Sequence, residues 1–152
     1  MQIRSAETAG FCFGVERAVS LAEQTAKSCA SAVTLGPIIH NRHVVERFEA
    51  MGLREIARAE DAQPGQTVVI RAHGIPVSEQ QTLAARGAKL VDATCPFVKK
   101  IHVIARQAEE AGRHLLIIGT PTHPEVTAIA SYSSDAHVFQ TAEALESWLT
   151  EA

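Results

Sequence analysis

Short apolar runs alternate with amphipathic segments along the chain, and this alternation predicts an α/β protein. The apolar runs predict strands at residues 1–5, 32–35, 67–72, 88–93, 114–119 and 136–139. The segments between them repeat apolar residues at helical spacing and predict helices at about 15–30, 42–51, 77–86, 96–111, after 124, and at 141–152. Regular alternation of the two favours parallel sheets flanked by helices.

One predicted helix, which begins at Pro96 and ends before Gly112, has an apolar stripe that we expect to face the core. The members of this stripe are Phe97, Ile101, Ile104, Ala108 and Ala111.

An internal repeat divides the chain into two parts. The pair Cys95 and His123 repeats the pair Cys12 and His40 at a constant offset of 83 residues (95 − 12 and 123 − 40). Other positions agree at the same offset: Gly36 with Gly119, Val15 with Val98, and Arg17 with Lys100. The pattern predicts a first α/β lobe at 1–94 and a partial second lobe at 95–152, which lacks the counterpart of the strand that begins at Thr67.

Composition narrows the possible classes of protein. The 152 residues are 46% hydrophobic and carry a net charge of −3, which gives no electrostatic footprint for nucleic acid. No apolar run approaches the ~18 residues of a membrane span, and residues 1–10 do not resemble a signal peptide, so we expect a cytoplasmic protein. Its three cysteines are an odd number, which favours metal binding or catalysis over a disulfide framework.

Five reactive side chains come just after predicted strands and at or before predicted helix starts. They are Cys12, His40, His73, Cys95 and His123. In open α/β sheets, ligands bind beyond the carboxyl ends of the strands, and helix N-termini there favour anions. We therefore expect these five residues to lie on one face and to form a shared site.

The residue types leave several kinds of chemistry open. The two corner cysteines suit zinc or an iron–sulfur cluster, although either could be a small buried residue. The three corner histidines suit a phosphate or diphosphate, and a mixed Cys/His zinc site is the alternative, although their spacing is too wide for a zinc finger. The helix dipole favours a glutamate such as Glu125 in the first turn of a helix. Beside a ligand-binding histidine, Glu125 could also deliver a proton.

The remaining cysteine and histidines have simpler interpretations. Cys29 lies on the apolar face of its helix and is predicted to be a core residue. The other four histidines are predicted at the surface: His43, His102, His114 and His137.

Five motifs carry a resemblance to a known family. They are "GFCFGVERAV", "LGPIIHNRHVV", "IRAHG", "DATCPFVKKIH" and "THPEV". Their order and spacing resemble those of the 4-hydroxy-3-methylbut-2-enyl diphosphate reductase family, from the N-terminus to about residue 140. Members of that family have three α/β lobes around an iron–sulfur (4Fe-4S) cluster, with one cysteine from each lobe.

The resemblance implies roles for the corner residues. Cys12 and Cys95 would be cluster ligands, His40, His73 and His123 would bind the substrate diphosphate, and Glu125 would donate a proton to the departing hydroxyl. The reaction would reductively remove the allylic hydroxyl and give isopentenyl and dimethylallyl diphosphates. A ferredoxin or a flavodoxin would be the electron donor.

The chain also departs from the family pattern. Family members are longer and carry a third cluster cysteine, a Gln-Thr-Thr segment and a Ser-x-Asn stretch, none of which is present here. Neutral residues precede His123, and Ala128 stands where glycine is usual. We therefore expect the N-terminal half of such a reductase, incomplete alone and needing the C-terminal half or a complementing chain. The alternatives are a pseudoenzyme lobe that binds phosphate or metal, and a zinc-dependent hydrolase.

Overall fold

Two parallel β-sheets form the framework of the chain in a computed structural model that describes residues 2–4 and 6–151. The first sheet has the strand order β2-β1-β3-β4, and the second contains β5 and β6. The strands are β1 (Val33–Leu35), β2 (Arg54–Ile56), β3 (Thr67–Ile70), β4 (Lys89–Asp92), β5 (Leu115–Ile118) and β6 (Ala136–Phe139). All of the strand pairs are parallel, as the sequence predicts.

Among the described residues, six α-helices connect and flank these strands. They are α1 (Phe13–Ser28), α2 (Arg42–Ala50), α3 (Val77–Ala85), α4 (Pro96–Glu110), α5 (Pro124–Ala130) and α6 (Ala142–Glu151), with a 3-10 turn at Ala59–Asp61. Asn41 caps α2, because its side chain accepts a hydrogen bond of 3.2 Å from the Val44 N–H. No helix among the described residues is long and apolar enough to cross a membrane.

The core of the first sheet lies on both of its faces. Val68 and Val69 are neighbours in β3 and both are fully buried, yet they belong to different hydrophobic clusters. Successive side chains of a strand point to opposite faces, so each cluster covers one face of the sheet. Phe48 of α2 packs in the cluster of Val69, and Leu83 of α3 packs in the cluster of Val68.

The repeat at an offset of 83 residues is confirmed in strand register and in backbone contacts. Val33 pairs with Arg54 in the first sheet, and the equivalent Leu116 pairs with His137 in the second. The Gly36 N–H donates to the Ile56 carbonyl at 3.0 Å. At the equivalent positions, the Gly119 N–H donates to the Phe139 carbonyl at 2.8 Å. We propose that residues 1–94 and 95–152 are the two lobes, since the first four strands share one sheet and the last two share the other.

The strand predicted at 1–5 is not present at residues 2–4, and residues 1 and 5 lie outside the described ones. The short strand β2 has no counterpart among the predicted strands. Arg54 and Glu55 of β2 are polar and exposed, so the segment has no apolar run that would predict a strand. Its strand conformation is stabilised by parallel pairing with β1.

The orientation predicted for α4 is also wrong. Phe97, Ile101 and Ile104 are 68%, 40% and 52% exposed, whereas Val98 and Ala105 are buried. The inner stripe also contains apolar residues, Val98 and Ala105, so the apolar pattern alone does not determine which stripe faces inward.

His102 is buried on the inner face of α4, against the prediction that it lies at the surface, and it is 7% exposed. Its ring stacks on Tyr132 with the centroids 4.5 Å apart. A Cβ on Gly74 would lie 2.7 Å from His102 Cε1, so the glycine leaves room for the imidazole.

Candidate functional site

The corners that follow the strands of the first sheet are held side by side by backbone hydrogen bonds. The Ala72 N–H donates to the Ile38 carbonyl at 3.2 Å, and the Cys95 N–H donates to the Ala72 carbonyl at 2.9 Å. These bonds continue the lateral pairing of β1, β3 and β4 beyond the strand ends. They therefore fix the positions from which His40, His73 and Cys95 project.

The three predicted histidines lie together at this edge. The ring centroids of His40 and His73 are 4.8 Å apart, those of His73 and His123 are 5.7 Å apart, and those of His40 and His123 are 6.3 Å apart. His73 is half-buried, while His40 and His123 are exposed. Two imidazoles of the cluster, those of His40 and His73, therefore follow strands of the first sheet, and the third, that of His123, follows β5 of the second sheet.

The two predicted cysteines occupy equivalent helix starts. Cys12 is the N-cap of α1 and Cys95 is the N-cap of α4, and neither side chain makes a capping hydrogen bond. Gly14 lies directly against Cys95, and a Cβ at that glycine would collide with Cys95 Sγ. The Cys95 thiol is therefore placed against the first turn of α1, two residues from Cys12. No strand precedes Cys12 among the described residues.

Arg17 fastens α1 to the corner that carries Cys95. Its guanidinium donates to the Thr94 carbonyl at 3.2 Å and to the Asp92 carbonyl at 3.3 Å. In the repeat, this arginine corresponds to the basic residue Lys100. The structure places it as the link between the helix that follows Cys12 and the end of β4.

Cys29 lies at the other end of α1, where it is the C-cap residue. Its thiol donates to Thr67 Oγ1 at 3.3 Å, and the side chain packs, half-buried, against the core cluster that contains Val69. The 16 residues of α1 separate it from Cys12 by about 24 Å. This placement excludes Cys29 from any site that includes Cys12.

A positive charge lies behind the histidines. Arg71 Nε donates to the Gly74 carbonyl at 3.2 Å, and a Cβ on Gly36 would lie 2.6 Å from an Arg71 guanidinium nitrogen. Burial lowers the pKa of His73 to about 4, with further contributions from His40, His123 and Arg71. Sequence reasoning missed Arg71, although the available signal was its position in "IRAHG", two residues before His73.

His123 and Glu125 are joined through the start of α5. His123 Nδ1 accepts a hydrogen bond of 3.2 Å from the Glu125 N–H, so the imidazole caps the helix. With Nδ1 as acceptor, the ring proton of the neutral imidazole is on Nε2, which is left to donate to a ligand. The Glu125 side chain is half-buried in the first turn of the same helix.

The spacing of these side chains suits a ligand larger than one metal ion. Within residues 2–4 and 6–151, no three of the five corner residues bring their ligand atoms within 4.8 Å of one another. An anion with several acceptor oxygens can span three imidazoles that are this far apart. Because Arg71 contributes positive charge at His73 and the imidazoles can donate hydrogen bonds, the electrostatics of the cluster favour negative charge.

His73 is expected to make the chain less stable as the pH falls from about 6.5 towards 4. Its pKa is about 4 in the folded state against 6.5 for an unperturbed imidazole, so between these values the unfolded chain binds the extra proton. The free energy of unfolding should lose about 1–2 kcal/mol over this range, after allowance for solvent screening of a half-exposed ring. The measurement is urea unfolding of the chain and of His73→Gln at pH 7 and pH 4.5.

The matched control for this experiment is His43→Gln, since His43 is an exposed histidine of α2. It should keep the pH dependence of the unchanged chain, while His73→Gln should reduce it. If His73→Gln loses as much stability on acidification as the unchanged chain, the burial of a neutral His73 is not the cause.

Comparison with known proteins relates this arrangement to one family. The family model described as LytB protein matches residues 3–151. The relative from Oleidesulfovibrio alaskensis, named 4-hydroxy-3-methylbut-2-enyl diphosphate reductase, is 47% identical over 96% of this chain and 53% of its own length. The relative of the same name from Solidesulfovibrio magneticus is 44% identical over 96% of this chain and 54% of its own length. The chain thus spans about half the length of the curated relatives it matches.

Two solved structures have the same fold. One is titled as the structure of (E)-4-hydroxy-3-methyl-but-2-enyl diphosphate reductase, the terminal enzyme of the non-mevalonate pathway. It is 40% identical, with a TM-score of 0.81, over 95% of this chain and 53% of that one. The other is the E-1-hydroxy-2-methyl-but-2-enyl-4-diphosphate reductase from Plasmodium falciparum. It is 26% identical, with a TM-score of 0.86, over 92% of this chain and 45% of that one. The chain with these clustered corner residues therefore belongs to the LytB family.

Proposed function

We propose that the chain is the N-terminal part of an iron–sulfur reductase acting on 4-hydroxy-3-methylbut-2-enyl diphosphate. The reaction removes the allylic hydroxyl and gives isopentenyl and dimethylallyl diphosphates. The observation that carries the proposal is the cluster of three histidines beside the corner that holds Cys95, in a chain whose named relatives are reductases.

The histidine cluster is the proposed diphosphate site. His40, His73 and His123 surround a position that Arg71 makes positive, and the exposed rings leave it open to solvent. His73 Nδ1 is buried with no hydrogen-bond partner among the described residues, so an anion would relieve an unmet polar group. A bound diphosphate would also raise the pKa of His73, because it opposes the positive neighbours that help to lower it.

Cys12 and Cys95 are the proposed ligands of a 4Fe-4S cluster. Both are free thiols at helix starts, and iron–sulfur clusters are held by cysteine thiolates, so the donor set fits. When bound, such a cluster supplies single electrons and a Lewis-acidic iron for the substrate hydroxyl. The tight contact of Gly14 with Cys95 holds one thiol in place. Because Cys29 is excluded, a third cysteine, which the family resemblance implies, would be contributed by the C-terminal half or by a complementing chain.

Exposed apolar side chains lie next to both cysteines in the chain. Phe11 and Phe13 flank Cys12 and are 48% and 64% exposed, and Phe97, two residues after Cys95, begins the exposed outer stripe of α4. Exposed apolar area of this kind marks an interaction site. We propose that a C-terminal half, or a complementing chain, covers it and excludes water from the cluster.

Glu125 is the proposed proton donor of the reaction. Its position in the first turn of α5 is fixed by the bond from its own N–H to His123, one of the three diphosphate ligands. A carboxyl group there is close to where the substrate would be anchored and can pass a proton to the departing hydroxyl. The electrons would come from a ferredoxin or a flavodoxin, and we place the protein in the cytoplasm.

The diphosphate site is tested by the stability of the chain in inorganic pyrophosphate. A ligand that binds only the folded chain raises the free energy of unfolding, by about 2.7 kcal/mol at a hundred times its Kd. We expect pyrophosphate to raise the unfolding temperature of the unchanged chain. The double variant His40→Gln/His123→Gln, which removes two of the proposed donors, should lose most of this increase.

The control again is His43→Gln, which removes a histidine of the same chain at an exposed position outside the cluster. It should retain the full response to pyrophosphate. If the double variant and the control respond equally, the three histidines do not form the anion site.

A further inference from the structure

A second cluster of metal-binding side chains lies at the amino-terminal ends of β5 and β6, whereas His123 follows the carboxyl end of β5. His114 directly precedes β5, Asp135 directly precedes β6, and His137 is the second residue of β6. We propose that these three residues form a binding site for a divalent transition-metal ion such as Zn²⁺ or Ni²⁺. This site is separate from the corner residues, which follow the strands at their carboxyl ends.

The strand register brings the three side chains onto one face. Leu116 of β5 pairs with His137 of β6, so His114 and Asp135, each two residues earlier, are also opposite each other. Side chains two residues apart in a strand share a face of the sheet. The Leu115 N–H donates to the Asp135 carbonyl at 2.9 Å, which extends this pairing to the first position of the strand.

The ligand atoms already converge. His114 Nδ1 lies 2.6 Å from one carboxylate oxygen of Asp135, and His137 Nε2 lies 2.7 Å from the other. One ligand atom from each residue lies within 4.8 Å of the others, the only group of three or more such residues that does so among those described. The carboxylate thus stands between two imidazoles.

The donor set suits a transition metal. Two imidazoles and a carboxylate bind zinc through bonds of about 2.0–2.2 Å, and a fourth position is left for water. The ion would replace the protons that the imidazoles now share with Asp135. The His114 side chain is 64% exposed, so its ring can move to bring Nδ1 within bonding distance of an ion held by Asp135 and His137. Nickel and zinc both favour imidazole ligands, and they are therefore the probes of choice.

The fold itself does not require this cluster. The equivalent residues of the first repeat, 83 positions earlier, are Ser31, Gly52 and Arg54. The first sheet makes the same β1–β2 pairing without any of the three ligands. A need of the shared architecture therefore does not explain the histidine–aspartate–histidine arrangement.

Trp148 provides a local reporter. Its ring centroid is 4.6 Å from that of His137 and 5.6 Å from that of His114, and it is the single tryptophan of the chain. A paramagnetic ion at the proposed site would therefore quench the whole tryptophan emission. The corner residue His123 is beyond the far end of β5, a strand of about 13 Å, so an ion bound there would quench less.

The experiment is a titration of Trp148 fluorescence with Ni²⁺, followed by competition with Zn²⁺. We expect saturable quenching at one Ni²⁺ per chain, reversed by Zn²⁺. His114→Gln and Asp135→Asn should each shift the half-saturating Ni²⁺ concentration upward by more than about tenfold, the scale on which even outer partners of metal ligands act.

His43→Gln is the matched control, and it should leave the titration unchanged. Far-UV circular dichroism checks the fold, and His114→Gln keeps the test valid if Asp135→Asn unfolds, because the His114 side chain is largely exposed. The proposal is overturned if His114→Gln is quenched at the same Ni²⁺ concentration as the unchanged chain, or if quenching does not saturate.

Discussion

Replacement of Glu125 with Gln is expected to slow turnover by about 10²–10⁴-fold, the usual contribution of a positioned acid or base. Glutamine has the same shape and keeps its N–H on His123, so the helix cap and the histidine cluster should be preserved. It has no acidic proton to give to the departing hydroxyl. The measurement is single-turnover kinetics in a joined protein, in which residues 1–152 are followed by the remaining part of the Solidesulfovibrio magneticus relative.

Two controls separate the proton-donor role of Glu125 from a structural role. Glu125→Gln should bind pyrophosphate as the unchanged protein does, and Glu143→Gln should keep the normal rate. Glu143 is an exposed glutamate in the first turn of α6 and so has the same relation to a helix dipole. A glutamate that only interacts with the dipole changes stability by about 0.3–1 kcal/mol and leaves the rate unchanged. The proton-donor role is contradicted if Glu125→Gln turns over at the normal rate, or if both variants slow it equally.

Loss of either corner cysteine is expected to abolish turnover in the joined protein. Cys12→Ala and Cys95→Ala each remove a proposed cluster ligand, and no other described cysteine lies near enough to replace it, since Cys29 is at the far end of α1. Cys29→Ala removes a thiol of the same chain and should retain turnover. Steady-state rates with a strong one-electron donor, measured anaerobically, distinguish these three variants.

Gly14→Ala provides an independent version of the same test. It removes no thiol, but its Cβ would collide with Cys95 Sγ and displace it. We expect its turnover to fall well below that of Cys29→Ala. Full activity in Gly14→Ala would mean that the position of Cys95 Sγ does not matter to the reaction.

The corners of this fold could be predicted from the sequence because their determinants are local. Apolar runs predict β1, β3, β4, β5 and β6, and apolar residues at helical spacing predict the helices between them. Once parallel pairing is assumed, the carboxyl ends of the strands must share an edge. The offset of 83 residues then identifies the equivalent positions. Gly36 and Gly119, which are equivalent at this offset, make the same backbone hydrogen bond to the neighbouring strand.

Other features depend on contacts that no local pattern encodes. The inward face of α4 is set by the stacking of His102 on Tyr132 and by the space that Gly74 leaves, and both are long-range contacts. Its place in "IRAHG" sets Arg71 near His73, but its position behind the histidines depends on contacts with Gly74 and Gly36 that this motif does not encode. The cluster of His114 and His137 was interpreted as surface histidines, since their convergence on Asp135 depends on the register of two strands.

The most direct test of the roles of Cys12 and Cys95 is the iron content of the joined protein after anaerobic reconstitution with iron and sulfide. The unchanged protein and Cys29→Ala should hold equal iron and acid-labile sulfide with the brown colour of a cluster, which is lost in air. Cys12→Ala and Cys95→Ala should each hold far less iron. Iron contents in Cys12→Ala and Cys95→Ala equal to that in Cys29→Ala would contradict the claim that the two corner cysteines hold the cluster.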